Sequence, residues 1–374
     1  MGYQHWSYET LQKLCVDAFE AFGFGKADAE IITDVLLTSD LYGIESHGMQ
    51  RMVRYYKSIE RGMIKIDAEP EVVFETHVSA VIDGHAGMGQ LIGHKAMELA
   101  IQKAKISGIG IVTVRNSNHY GIAGYYAKMA CREGLVGFSC TNSAAIMVPT
   151  NGRKAMLGSN PIAVAMPAEP YDFLFDASTT VVTRGKLEVY NKKDEPLPEG
   201  WALDQDGKPC CDADTVLTNI TKKAGGGIMP LGGASEQTGS HKGYGYGMLC
   251  EIFSAILSMG TPSDCTMTDG KGLICHGFMA MDPSIFGDAK AIEQHFSSYL
   301  QRLRESPKAE GEERIYTHGE KEVEAIETCK IEGIPVNDNT MVEIWDMCEY
   351  LKMDFSRYFG DYQPPLDSFR GNSF

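Results

Sequence analysis

"GIGIVTVRNSNHYG", residues 108–121, is a β-branched run that ends in polar residues. Such a run reads as a buried strand, and its end delivers side chains where the chain next turns. Asn116, Asn118 and His119 are delivered in this way, at the kind of strand end where ligand-facing groups collect in α/β proteins. The same rhythm of apolar strand and polar turn recurs in "LVGFSCTNSAAIMVP" (135–149), "NPIAVAMP" (160–167), "YDFLFDAS" (171–178) and "CHGFMAMDPSIFG" (275–287). Upstream, "AVIDGHAGMGQ" (80–90) gives strand and glycine turn, and "LIGHKAMELAIQKAK" (91–105) a helix that ends before Gly108.

The flanks change period. Leu11, Leu14, Cys15, Ala18 and Phe19, then Ile31, Ile32, Val35 and Leu36, fall at helical spacing around a break at "GFGKAD". A third helix is predicted over 46–61, a charged helical segment over 288–330, and a final helix within "GIPVNDNTMVEIWDMCEYLK" (333–352). An apolar helix fits 243–260, and "PLPEGWALDQDGKP" (196–209) reads as an exposed loop. A chain of 374 residues suits two lobes rather than one small core. The division expected is a helical lobe from both termini, 1–75 and 311–374, around a central lobe, 76–310.

Apolar residues are 43% and charged residues 22%, an ordinary mixture for a water-soluble domain. The net charge of -16 argues against nucleic acid or an anionic membrane as partner. No signal-peptide pattern and no bilayer-length apolar stretch is present, and ten scattered cysteines without Cys-x-x-Cys fit a cytoplasmic location. The histidines lack metal-ligand spacing, so no metal is expected.

Four clusters could carry chemistry. In "ESHGMQR" (45–51), Ser46 and His47 precede Arg51, and His47, Arg51 and Tyr55 are spaced by four, as on one helix face. An Arg fork can grip a carboxylate while a neighbouring His passes a proton; the competing reading is a solvated face with Ser46 as cap. "NSNHYG" (116–121) is a ligand-facing strand end or an Asx-type turn with a satisfied histidine. "DASTTVVTRGK" (176–186) could hold ribose oxygens or cap a helix. In "GGASEQTGSHKGYGYG" (232–247), six glycines with His241 and Lys242 could admit a phosphate, or form a flexible surface loop. Neither G-x-G-x-x-G after a strand nor a P-loop occurs. A Ser–His hydrolase is disfavoured, because helical neighbours point about 100° apart and no G-x-S-x-G elbow exists.

The blocks "SHGMQRMVRYY", "DGHAGMGQ", "VRNSNHYGIAGYYA", "GSNPIAVAMP", "DASTTVVTRGK", "PLPEGWALDQDGKP", "GGASEQTGSHKGYGYGMLCEIFSAIL" and "GEKE…GIPV" occur in the order of the malate/L-lactate dehydrogenase family outside the Rossmann group, which the chain resembles over nearly its whole length. The resemblance implies an α/β, non-Rossmann (L-sulfolactate dehydrogenase-like) two-lobed subunit with a mixed, largely antiparallel sheet, and a homodimer. It also implies reversible hydride transfer between NAD, with NADP the alternative, and C2 of a 2-hydroxy acid. Malate/oxaloacetate is the expected pair; another 2-oxo acid or a cyclic imine is the alternative.

On this resemblance His47 is the proton donor/acceptor and His119 the second candidate, with Ser46 and Arg51 at the substrate and Tyr55 supporting Arg51. A second substrate carboxylate needs another basic group, for which His119 and Arg184 are the candidates. The cofactor residues implied are Asp176, Ala177, Ser178, Thr179, Thr180, Val181, Val182, His241, Lys242, His318, Gly319 and Glu320.

Overall fold

In the computed structural model, which describes residues 2–366, the chain opens with β1 (Tyr3–Trp6), α1 (Tyr8–Phe22) and α2 (Lys26–Leu41). Two 3-10 turns (Glu45–His47 and Met49–Arg51) lead into α3 (Met52–Glu60). The middle runs β2 (Glu71–Glu75), β3 (Ser79–Asp83), α4 (Gly89–Ser107), β4 (Ile109–Ser117), α5 (Ala123–Arg132), β5 (Val136–Thr141), β6 (Ile162–Met166) and β7 (Phe173–Ala177). A smaller excursion holds α6 (Arg184–Lys193), β8 (Ala202–Leu203), α7 (Ala213–Lys222) and β9 (Gly227–Ile228). Then come α8 (Ser240–Glu251) with a π turn (Ile252–Ile256), β10 (Ile274–Met281), α9 (Ala289–Glu305), α10 (Glu320–Glu332), β11 (Ile334–Asn337), α11 (Asp338–Leu351) and α12 (Ser356–Phe359).

The seven-stranded sheet has the order β2-β3-β4-β10-β5-β6-β7. Only the β3–β4 pairing within it is parallel; the others are antiparallel. The fold is therefore mixed α/β with a largely antiparallel sheet. The β-branched run that ends at Ser117 does form β4, and it sits centrally because both faces are covered. On one side α4 and α5 pack Ala96, Ala100, Tyr126 and Ala130 onto Val112, Val114, Phe278 and Ala280. On the other side lies the π turn; a Cβ on Gly277 of β10 would stand 2.3 Å from the carbonyl oxygen of Phe253. Gly108 ends α4 in the left-handed conformation, φ 83°, as the sequence predicts.

A second core is built by both ends of the chain. Leu11, Leu14, Phe19, Ile32 and Leu36 pack with Met49, Met52 and Tyr55, and with Ile334, Met341, Ile344 and Met347. The tie is β1 against β11, antiparallel, with Trp6 opposite Ile334. Neither strand is among the predicted elements; each has four residues, too few for a period to show.

Several expectations need correction. The helix predicted over 46–61 is broken at Gly48, so α3 begins only at Met52. The cause is Asp40, whose buried carboxylate accepts the Met49 N–H at 2.7 Å and stands where a Cβ on Gly48 would be. The charged segment 288–330 is two helices, α9 and α10, separated by non-helical residues 306–319. The strand β2 falls in the range assigned to the terminal lobe, yet it is an edge strand of the large sheet. Of the tail after Lys352, α12 packs Phe359 against Trp6, and residues 367–374 lie outside the described residues. Among the described residues no helix is long and apolar enough to cross a membrane.

Candidate active site

The end of β4 meets the start of α3 at a narrow cleft lined by Arg54, Tyr55, Ser58, Met63, Ile64, Asn118, His119, Met267 and Ile274. Two predicted clusters, 45–55 and 116–121, are thus brought together across the lobes. The imidazoles of His47 and His119 stack with centroids 5.5 Å apart and planes 27° apart. The Tyr55 hydroxyl lies 2.8 Å from His119 Nδ1, and the Gly121 N–H approaches the same nitrogen at 3.4 Å. The hydrogen bond of Tyr55 thus goes to His119, and among the described residues none joins it to Arg51. Gln90 sits beside Tyr55 with both amide atoms buried and no partner at hydrogen-bonding geometry.

Asn118 holds the strand end in place. Its amide donates to the carbonyls of Met63 (3.3 Å), Ala86 (3.0 Å) and Gly87 (2.9 Å), which ties the glycine turn after β3 to β4. Behind it, His276 is fully buried between Ser117 Oγ (2.9 Å) and Thr141 Oγ1 (2.8 Å) and stacks on Tyr120.

With α3 starting late, His47 and Arg51 do not share a helical face. They meet instead through the turn: Arg51 Nε donates to the Ser46 carbonyl at 2.5 Å, and Ser46 Oγ lies 2.9 Å from His47 Nδ1. The expected divergence of Ser46 and His47 therefore does not keep their side chains apart, in a segment that forms a 3-10 turn over residues 45–47. Electrostatically the site is a set of neutral imidazoles under cations. Burial first, then Arg51 and Arg54, push His47 down to about 3. Burial, then Arg54, His47, Arg51 and His276, push His119 well below the usual histidine range. Burial raises Tyr55 to about 12 against the pull of Arg54 and Arg51, so its hydroxyl keeps its proton.

Arg54 was missed in the sequence. The signal was available: it lies three residues after Arg51 and next to Tyr55, on the same helix.

The implied cofactor residues form two further groups. Asp176, at the end of β7, accepts the Gly124 N–H at 2.6 Å in the first turn of α5; burial raises it to about 6. The chain from 178 onward is held by backbone bonds from Thr179 N to the Ser159 carbonyl, from Val181 N to the Met229 carbonyl, and from Leu231 N to the Thr179 carbonyl. Thr180 Oγ1 donates to the Val182 carbonyl at 2.7 Å. Against this ledge packs α8: a Cβ on Gly243 would stand 2.4 Å from Leu231 N, so this glycine serves helix packing and not phosphate approach. His241 and Lys242 are exposed in the first turn of α8, which follows Gly239 in the left-handed conformation and has no side-chain cap. An uncapped helix start beside a lysine fits the anionic part of a dinucleotide. The same segment reaches the histidines, since a Cβ on Gly185 would lie 3.9 Å from Ser46 Cβ.

The third group stands apart. His318 O accepts Leu174 N at 3.2 Å and its ring meets Phe173 and Phe175, while a Cβ on Gly319 would stand 2.5 Å from the Asp172 carbonyl oxygen. The Glu320 carboxylate is taken by Arg304 (3.2 Å), Arg314 (2.7 Å) and Thr317 (2.5 Å). Such a network fixes the segment against β7 before any ligand is considered.

Two stacked imidazoles with Arg51 and Arg54 nearby could move a proton and hold an anion, and the class is given by the comparisons with known proteins. Residues 6–344 match the malate/L-lactate dehydrogenase family, and the chain belongs to it. It is 42% identical over 338 residues to malate dehydrogenase of Pyrococcus horikoshii, covering 90% of this chain and 92% of that one. It is 35% identical to L-sulfolactate dehydrogenase of Methanocaldococcus jannaschii, covering 94% and 98%. The crystal structure of malate dehydrogenase from Entamoeba histolytica superposes with a TM-score of 0.90 at 32% identity, over 95% of this chain and 99% of that one. The protein is a 2-hydroxy acid dehydrogenase.

Proposed function

We propose that the substrate pair is malate and oxaloacetate, that the cofactor is NAD, and that His119 rather than His47 carries the proton. The contact between Tyr55 and His119 Nδ1 carries the assignment: it leaves Nε2 as the nitrogen available to the substrate in a cleft that His119 lines. A bound nicotinamide would supply the redox chemistry of malate oxidation as the acceptor for the C2 hydride. The hydroxyl proton passes to His119 Nε2, with the Tyr55 hydroxyl hydrogen-bonded at Nδ1 to fix the ring. Arg51, already anchored on the Ser46 carbonyl, holds the C1 carboxylate through its remaining nitrogens. Stacked on His119, His47 keeps that ring in its plane, and Ser46 fixes His47 in turn. Lys242 and His241 hold the cofactor phosphates and the segment from Asp176 to Val182 walls its site, with His318, Gly319 and Glu320 bracing β7, at whose end Asp176 stands. The 42% identity to a malate dehydrogenase supports the substrate reading. The test is a panel of 2-oxo acids with NADH and NADPH, followed by absorbance. Pyruvate exceeding oxaloacetate in kcat/KM would overturn malate, and a preference for NADPH would overturn NAD.

A homodimer belongs to the same proposal. Tyr246, Leu249, Phe253, Ile256 and Leu257 lie along α8, the π turn and the residue after it, each between 40% and 52% exposed, an apolar face that a second copy would cover. A second copy covering it would give twice the chain mass by sedimentation. The ten free cysteines fit a cytoplasmic location.

A further inference from the structure

We propose that Arg54 reads a second acidic group on the substrate, and so selects 2-hydroxy acids that carry a carboxylate or sulfonate on C3 over monocarboxylates. The inference deepens the hydroxy-acid reading and rests on it. Arg54, in the first turn of α3, lines the cleft together with His119 and Tyr55. Both guanidinium groups act on His47, and after burial Arg54 is the largest influence on His119. Among the described residues no carboxylate forms an ion pair with Arg54. Glu188, the acid it feels, lies 3.0 Å from Arg184 Nε and is engaged there. Burial and Arg51 pull the Arg54 guanidinium down to about 10.

A half-buried arginine next to a second cation is costly unless an anion completes it. One carboxylate cannot serve both groups equally, because Arg51 is committed through Nε to the Ser46 carbonyl and is placed to grip C1. A monocarboxylate therefore leaves Arg54 desolvated and without a counter-charge, which discriminates against it. Arg184, the other basic residue near the site, is held by Glu188 and by Thr221 Oγ1 at 3.3 Å, and so is less free to meet a ligand.

The experiment measures kcat/KM for oxaloacetate, 3-sulfopyruvate and pyruvate with NADH in wild type, Arg54→Gln, Arg54→Lys, Arg51→Gln and Arg184→Gln. Folding of each variant is checked by melting and by NADH fluorescence. Arg54→Gln is expected to lower the oxaloacetate-to-pyruvate and sulfopyruvate-to-pyruvate ratios by about 10²-fold, the scale for removing one partner of a buried charge pair. Arg54→Lys should retain part of the ratio, and Arg51→Gln should depress all three substrates together. A ratio that Arg54→Gln leaves intact in a folded, active enzyme overturns the inference alone. So does a collapse of the ratio in Arg184→Gln instead. Wild-type enzyme inert toward all three acids overturns the hydroxy-acid reading and the inference with it.

Discussion

Replacing Tyr55 by Phe separates two roles that the sequence leaves joined. If Tyr55 supports the carboxylate grip of Arg51, its loss raises KM. If it orients His119, its loss lowers kcat. The structure supplies the magnitude. The hydroxyl is 2.8 Å from Nδ1 in a side chain only 1% exposed, so water cannot easily replace it. A buried polar atom left without its partner costs about 1–3 kcal/mol. Taken from the reactive orientation of the imidazole, that is a fall in kcat of about 5- to 150-fold. Affinity for NADH and KM for the 2-oxo acid should move little, because no hydrogen bond joins Tyr55 to Arg51 among the described residues. Initial rates at saturating and limiting oxaloacetate, with NADH titrated by fluorescence, read the three quantities separately. A KM raised by this factor at unchanged kcat would refute the orienting role and restore the carboxylate one.

His119→Asn should lower kcat by roughly 10²–10⁴, the range for lost general acid–base catalysis, and abolish the ionisation in the kcat profile. His47→Asn should keep that ionisation, and the reverse pattern would move the proton to His47. His276 is held neutral by burial, at about 3. The unfolded chain therefore takes up a proton below 6.5 before the folded one does, and stability is lost as pH falls from 6.5 toward 3. At pH 5 this amounts to about 2 kcal/mol. The deficit of His276→Gln in urea unfolding should shrink by that amount between pH 7 and pH 5; a constant deficit would count against it. Alkylation of the exposed Cys211 and Cys265 should leave most activity intact, since neither belongs to the cleft; protection by substrate against rapid inactivation would contradict this.

What was legible in the sequence follows the range of the forces involved. Strand β4 and helix α4 could be read because burial on two faces and a left-handed Gly108 leave local marks. The pairing of β1 with β11 could not, because its register is set by residues more than 300 positions apart. The break at Gly48 was hidden for a similar reason. Helical spacing around "ESHGMQR" is intact, and the Asp40 carboxylate, eight residues before Gly48 in the chain, takes the Met49 N–H that a continuous α-helix would use. His47, Arg51 and Tyr55 still meet in one site, but through a turn, a backbone carbonyl and a partner on another lobe. The glycines of α8 misled in a different way: a Gly needed for close packing and one needed for a phosphate look the same until Leu231 is seen against Gly243.

The charge arrangement bears on why substrate anions matter beyond binding. Burial, reinforced by Arg51 and Arg54, keeps His47 and His119 unprotonated in the free site, which is the state needed to accept the hydroxyl proton when a 2-hydroxy acid is oxidised. Oxaloacetate reduction needs the opposite state. A carboxylate about 4 Å from an imidazolium returns about 4 kcal/mol at an effective dielectric near 20, equivalent to about three pKa units. The incoming dianion thus offsets the guanidinium groups that hold the histidine down, so the same contacts that orient the acid also restore its proton donor. A neutral ketone of the same shape would reach the cleft and find the histidine still unprotonated. On this reading the arginines are part of the proton chemistry, and the preference for anionic 2-oxo acids is built into the pKa of the group that serves them.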